Sequence, residues 1–169
     1  SIQTRTDLWR VANPRSGSPS TTPARFISAT GQQNCPEYSP DGRQIVFASN
    51  REAYYGVMSA QDKAKFEHDK SFMMDIYLMD PDGTNMRQIC FEQDHNFCPT
   101  VLNDGRILYL RWEYTDIPHV WARFLFTMNP DGTTQREFYG SGSYWPNAIF
   151  YARPIPHHPT KFIGIVTGH

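Results

Sequence analysis

The stretch "RWEYTDIPHVW", residues 111–121, holds Arg111, Trp112, Glu113, Tyr114, Asp116, His119 and Trp121. Aromatic planes beside carboxylates and an imidazole suit a shallow site for a sugar, a peptide or a metal-held ligand. The rings cover apolar area and the charged groups set orientation. Asp94 and His95, in "CFEQDHNFC", add another carboxylate and imidazole, and all nine residues form the candidate binding set. A plainer alternative makes Trp112 and Trp121 packing anchors and leaves the charges to solvate a rim.

Metal chemistry has two starting points. Cys90, His95 and Cys98 have spacings compatible with zinc, but a closed site needs a fourth ligand, and no Cys-x-x-Cys pair supports it. The histidines His95, His119, His157, His158 and His169 could instead converge and hold a divalent metal. Against that stands an exposed His-Pro loop in "RPIPHHPTKF". Beyond such a metal, no cofactor is expected. "DPDGT" resembles the start of a calcium loop but fails at Thr84 and Asn85, where a ligand and a Gly belong. "GSGSY" has Gly142 where the Gly-x-Ser-x-Gly elbow of a hydrolase needs its nucleophilic Ser, and no Cys-x-x-Cys-His haem attachment occurs. A non-catalytic role is therefore expected over an enzymatic one.

The elements that must position these residues are repeated. "DIYLMDPDGTNMRQIC" (75–90) and "FLFTMNPDGTTQREFY" (124–139) share an apolar beat and a Pro-Asp-Gly turn. Before each stands a second shared unit, "CPEYSPDGRQIVF" from Cys35 and "CPTVLNDGRILYL" from Cys98, with a fainter third start at Trp145-Pro146. Pro and Asp suit the central positions of a type I turn, and Gly takes the left-handed position after it, closing a tight hairpin. Four such turns are expected: Ser39 to Gly42, Asp80 to Gly83, Asn103 to Gly105 and Asn129 to Gly132. "QIVFA" and "RILYL" are almost continuously apolar, which suits strands buried on both faces. Cys35 and Cys98 occupy equivalent positions on inner strands. They are expected as small buried thiols, with their strands too far apart for a disulfide.

Composition agrees with an all-β chain. Of the residues 39% are hydrophobic, 14% aromatic and 20% charged, with 13 Pro. The net charge of −1 offers no basic field for nucleic acid. No apolar run approaches the roughly 20 residues of a membrane-spanning helix, so no membrane insertion is expected. The first residues, "SIQTRTDLWR", carry no Met and no leader pattern, as expected of a processed chain or an excised piece.

Four-stranded repeats joined by tight hairpins and stacked face to face are the grammar of a β-propeller. The pattern from Pro36 to Ser49, Pro-x-x-Ser-Pro-Asp-Gly-Arg-x-Ile-x-Phe-x-Ser, resembles the TolB-type (WD-like) propeller repeat, as does Asp75 to Gly83. The C-terminal half, through "RWEYTD", "SYWPN" and "ARPIPHHPTKF", also resembles exported propeller proteins related to the hydrazine synthase alpha subunit. The expected fold is a propeller segment of about three four-stranded blades within a ring of roughly six to eight. Its parts are a half blade at 7–30, a blade at 31–90 with an inserted loop at 50–74, a blade at 91–139, and the start of the next at 140–169.

Other blades from the same chain, or a homodimer, would close the ring. In such a ring the Asp-Gly turns share one end, while the long segments near 50–74, 91–97, 113–123 and 140–144 share the other. Long loops on a rigid scaffold are where binding concentrates. In the first of them "SAQDKAKFEHDK" starts with Ser59 and Asp62 at capping-box spacing, and a short helix is expected there. The TolB resemblance implies a periplasmic or secreted scaffold that binds a protein or peptide. Two enzymatic alternatives also arise by analogy: a metal-assisted lyase of the oligogalacturonate lyase type, and a haem-free part of a hydrazine-synthase-alpha-like redox subunit.

Overall fold

The computed structural model describes residues 8–10, 24–27, 33–50, 74–91, 94–112, 123–140, 145–146 and 148–167. Among them are twelve strands and no helix. The inserted segment 51–73, with its expected helix, lies outside the described residues.

Strands β1 (Leu8–Arg10) and β2 (Ala24–Ile27) pair as an antiparallel hairpin. The first four-stranded unit runs β3 (Gln33–Tyr38), β4 (Ile45–Ser49), β5 (Asp75–Met79) and β6 (Arg87–Gln88), antiparallel and in chain order. The second repeats that order with β7 (His95–Val101), β8 (Ile107–Trp112), β9 (Arg123–Met128) and β10 (Arg136–Tyr139). A further antiparallel pair follows, β11 (Ala148–Pro154) and β12 (Phe162–Thr167), touching β9 through a single parallel bridge, Ala148 to Arg123.

All four expected Asp-Gly turns form. Gly42 N–H donates to Ser39 O at 2.8 Å, and Gly83, Gly105 and Gly132 make the equivalent bond to Asp80, Leu102 and Asn129 at 2.9 Å each. Each glycine sits at positive φ, between 69° and 88°. The turn aspartates add local bonds: Asp82 Oδ1 accepts from Thr84 N–H at 2.9 Å, and Asp131 Oδ1 accepts from Thr133 N–H at 2.9 Å. The repeated words therefore encode repeated hydrogen bonds.

The continuously apolar strands are buried on both faces. Every residue of β4 is buried, and so are the first five of β8. Alternation then sorts the two faces. Val46, Ala48, Ile76 and Leu78 of the first unit pack against Ile107, Tyr109, Phe126 and Met128 of the second. Their alternates Ile45, Phe47, Tyr77 and Met79 form a separate cluster on the first unit's other face. On the far face of the second unit, Leu108, Leu110 and Leu125 meet Ala152, Ile149, Phe150 and Phe162 of the β11–β12 pair. The sheets thus stack face to face in chain order. Phe47 is fully buried, and truncating such a side chain to Ala costs about 3–5 kcal/mol.

The inner strands share one irregularity that the sequence reading did not anticipate. Cys35, Cys98 and Tyr151 have φ of 50°, 47° and 52°, and each lies at a register shift. In each case two residues oppose one on the partner strand: 35–36 face Phe47, 98–99 face Tyr109, and 151–152 face Gly164. These are β-bulges with a non-glycine residue in the left-handed region, an uncommon state. They correct one expectation. The third repeat of Cys-Pro is Tyr151-Ala152, not Trp145-Pro146.

Candidate functional site at the inner strands

The three bulges bring equivalent residues of successive repeats together. Two positions beyond each left-handed residue stand Glu37, Thr100 and Arg153. Thr100 Oγ1 donates to Glu37 Oε1 at 2.7 Å. Arg153 Nε lies 2.8 Å from Glu37 Oε2, a charge contact that falls short of an aligned hydrogen bond. Both partners are about a third exposed on the side chain, so water screens this pair and it contributes modestly to stability. Its meaning is geometric. A side chain of β3 reaches both β7 and β11, so the first strands of these three described repeats lie side by side.

Beside this contact, Cys35 Sγ and Cys98 Sγ stand 3.4 Å apart, both as free thiols. The expectation was of separate thiols on strands too far apart for a disulfide; the cysteines are free, and their sulfurs are in contact. The left-handed bulges take both cysteines out of regular strand geometry, and strand spacing alone no longer sets the sulfur separation. Cys35 is half-buried and Cys98 is buried. The Cys98 S–H, donated to an ionised Cys35, holds the Cys35 pKa down at about 7 against the opposing effect of burial, with the Arg153 charge helping. Cys98 is pushed up, because its proton serves that bond and because it is desolvated. The negative charge expected on this pair also raises the phenol of Tyr151.

Of the nine candidate binding residues, four are described, and the structure groups them at the end of the sheets away from the Asp-Gly turns. His95 opens β7 and pairs in register with Trp112 at the end of β8. It is buried, stacked on Phe97 at 5.5 Å and near Trp112 at 5.6 Å between ring centroids. The Arg123 guanidinium lies 4.2 Å over the Trp112 ring. Asp94 is half-buried, and its carbonyl accepts from Asn96 Nδ2 at 3.4 Å. Arg111 is buried, donating to Asn96 Oδ1 at 3.0 Å, Gln135 Oε1 at 2.8 Å and the Tyr109 hydroxyl at 3.1 Å. It also lies 4.5 Å over the Phe126 ring. Its five donors suit a buried polar knot of this kind. Glu113, Tyr114, Asp116, His119 and Trp121 lie outside the described residues.

Cys90 joins the same knot. Its sulfur accepts the Ile76 N–H at 3.0 Å and lies 3.5 Å from Asp75 Oδ1 and from Asn96 Nδ2. Burial, then the neighbouring Asp75 charge, raises its pKa far above the ordinary thiol value. Cys90 is chemically quiet.

The histidines named as metal candidates do not all meet. His95 is at the end of the sheets away from the turns, whereas His157 and His158 lie in the β11–β12 turn, where the His158 carbonyl accepts from Asn103 Nδ2 at 3.2 Å. His119 and His169 lie outside the described residues. Among the described residues, no three His, Cys, Asp or Glu side chains are grouped to hold a metal. A cleft of about 330 Å³ opens at the turn end between the first two units, lined by Ser39, Asp41, Gln44, Val101, Asn103 and Pro130 among others. Sequence reasoning directed attention to the opposite end. The paired Cys-Pro words were the signal available for the thiol contact.

A solved structure assigned as TolB from Agrobacterium tumefaciens is similar to this chain, with a TM-score of 0.51 and 20% identity over 71% of the chain. The match spans 38% of that structure's length. No protein-family model and no curated protein matches the chain. The likeness supports a TolB-like fold and says nothing of a hydrazine synthase relationship.

Proposed function

We propose that the chain is a non-catalytic binding scaffold, a segment of a TolB-like β-propeller that presents its long segments to a protein or peptide partner. The observation that carries this reading is the contact of Glu37 on β3 with both β7 and β11, in units that stack face to face. Such stacking supports the propeller reading. The TolB-like fold supports it.

Exposure on β12 supports a ring completed by further strands. By order in its repeat β12 is equivalent to β4 and β8, whose residues are nearly all buried. Yet Ile163, Ile165 and Val166 are 66%, 59% and 56% exposed. Ile163 and Ile165 lie on one face of the strand, and an exposed apolar face of this kind marks a surface that another element covers. The remaining blades, from the same chain or from a second copy, are the proposed cover. An envelope location, periplasmic or secreted, follows from the TolB analogy and belongs to this proposal.

The partner surface is assigned to the end carrying Asp94, Trp112 and the adjoining 113–122 segment, because the opposite end is occupied by short turns hydrogen-bonded within and between themselves. Photo-crosslinking tests this. A photoreactive residue at Asp94 or Trp112 is expected to trap a partner protein in envelope preparations, while one at Asp41 or Asp131 is not. Trapping of the same partner from the turn end would contradict the assignment.

A further inference from the structure

Beyond any binding role, the described residues include a pair of groups able to react with each other. We propose that Cys35 and Cys98 are a redox-active thiol pair, with Cys35 the attacking sulfur, whose oxidation to a disulfide ties the first and second four-stranded units together at their inner strands.

Geometry carries this proposal. The sulfurs are already 3.4 Å apart, and a disulfide needs roughly 2.0 Å, so small side-chain rotations suffice. The Thr100 to Glu37 hydrogen bond holds the same two strands in place two residues further along. Both cysteines occupy left-handed bulges, conformations that cost energy and that the sequence keeps at both positions. The two thiols are unequal, as an attacking and a resolving sulfur should be. Cys35 is the more exposed and has its thiolate favoured by Arg153 and by the Cys98 proton, whereas Cys98 is buried and protonated. Cys90 lacks these features and stays out of the reaction.

The chemistry balances with a low-molecular-weight disulfide such as glutathione disulfide as oxidant. The Cys35 thiolate attacks one sulfur, the S–S bond breaks, and one glutathione thiolate leaves with the electron pair. Cys98 then loses its proton and attacks Cys35 Sγ, expelling the second glutathione. The protein loses two electrons and two protons, and the oxidant becomes two thiols.

The test uses the full chain equilibrated in buffers of graded reduced and oxidised glutathione. Samples are quenched in acid and denaturant, alkylated, digested and weighed. A Cys35–Cys98 linked peptide is expected to accumulate as the buffer becomes oxidising, with Cys90 still alkylated. In Cys98→Ser, glutathione is expected to remain attached to Cys35. Two results overturn the proposal: a persistent mixed disulfide on Cys35 in the unaltered chain, or both thiols still reduced in a large excess of glutathione disulfide.

Discussion

Cys35 and Arg111 show how far a residue's surroundings decide its role. An ordinary thiol titrates near 8.5, and Cys35 is held at about 7 by the Cys98 proton and Arg153. Its alkylation rate with iodoacetamide is therefore expected to rise with pH through about 7 and then level off. Arg153→Gln removes a charge that favours the thiolate, so the midpoint moves up and the rate at pH 7 falls; an unchanged midpoint would remove Arg153 from the site. Arg111 holds three hydrogen bonds inside the protein. Arg111→Ala leaves Asn96, Gln135 and Tyr109 without that donor and is expected to cost about 2–4 kcal/mol of stability in a denaturant melt. Had Arg111 stood free at a rim, the same change would move stability by under about 0.5 kcal/mol.

At the scale of elements, the hairpins were legible in the sequence because their chemistry is local. Asp-Gly, preceded by Pro in three of the four turns and by Asn103 in the other, contains the side-chain acceptor and the left-handed glycine within a few residues, and all four turns form accordingly. The bulges were not legible, because no local preference puts Cys or Tyr at positive φ; packing between repeats imposes it. For the same reason the thiol contact was missed and Trp145-Pro146 was read as the third repeat.

The turns also interlock. Gly132 has φ of 85°, and a Cβ there would run into the carbonyl oxygen of Ile89 in the preceding unit. Gly132→Ala should lower stability by about 1–2 kcal/mol from backbone conformation alone, with the clash added, whereas Gly105→Ala, which meets nothing, should show only the first part. Equal losses at the two sites would contradict that packing. Asp41 and Asp131 have lowered pKa values because Ser39 or Thr133 hydroxyls and following backbone N–H groups donate to them. Their stabilisation is complete above the ordinary carboxylate value of about 3.9 and is lost as pH falls through the lower folded value. Asp131→Asn should flatten that acid limb in a pH series of thermal melts.

For the whole molecule, burial of β4 and β8 on both faces could be read from their apolar runs, whereas which parity meets which unit could not, because a continuously apolar run carries no alternation. Residues on one parity face the next unit and those on the other face away. A segment of about three blades implies exposed apolar faces at its ends, but which strand carries one was not legible, since "FIGIV" in β12 looks as buried as "QIVFA". The central claim is that this strand belongs to a ring completed by further strands. Sedimentation velocity on the chain from roughly 1 to 100 µM, the range in which exposed apolar surface drives association, tests it most directly. Concentration-dependent association is expected, together with its loss in Ile165→Lys while the β-sheet circular dichroism is kept. A chain that stays monomeric throughout, or a variant that associates as the parent does, would contradict the claim.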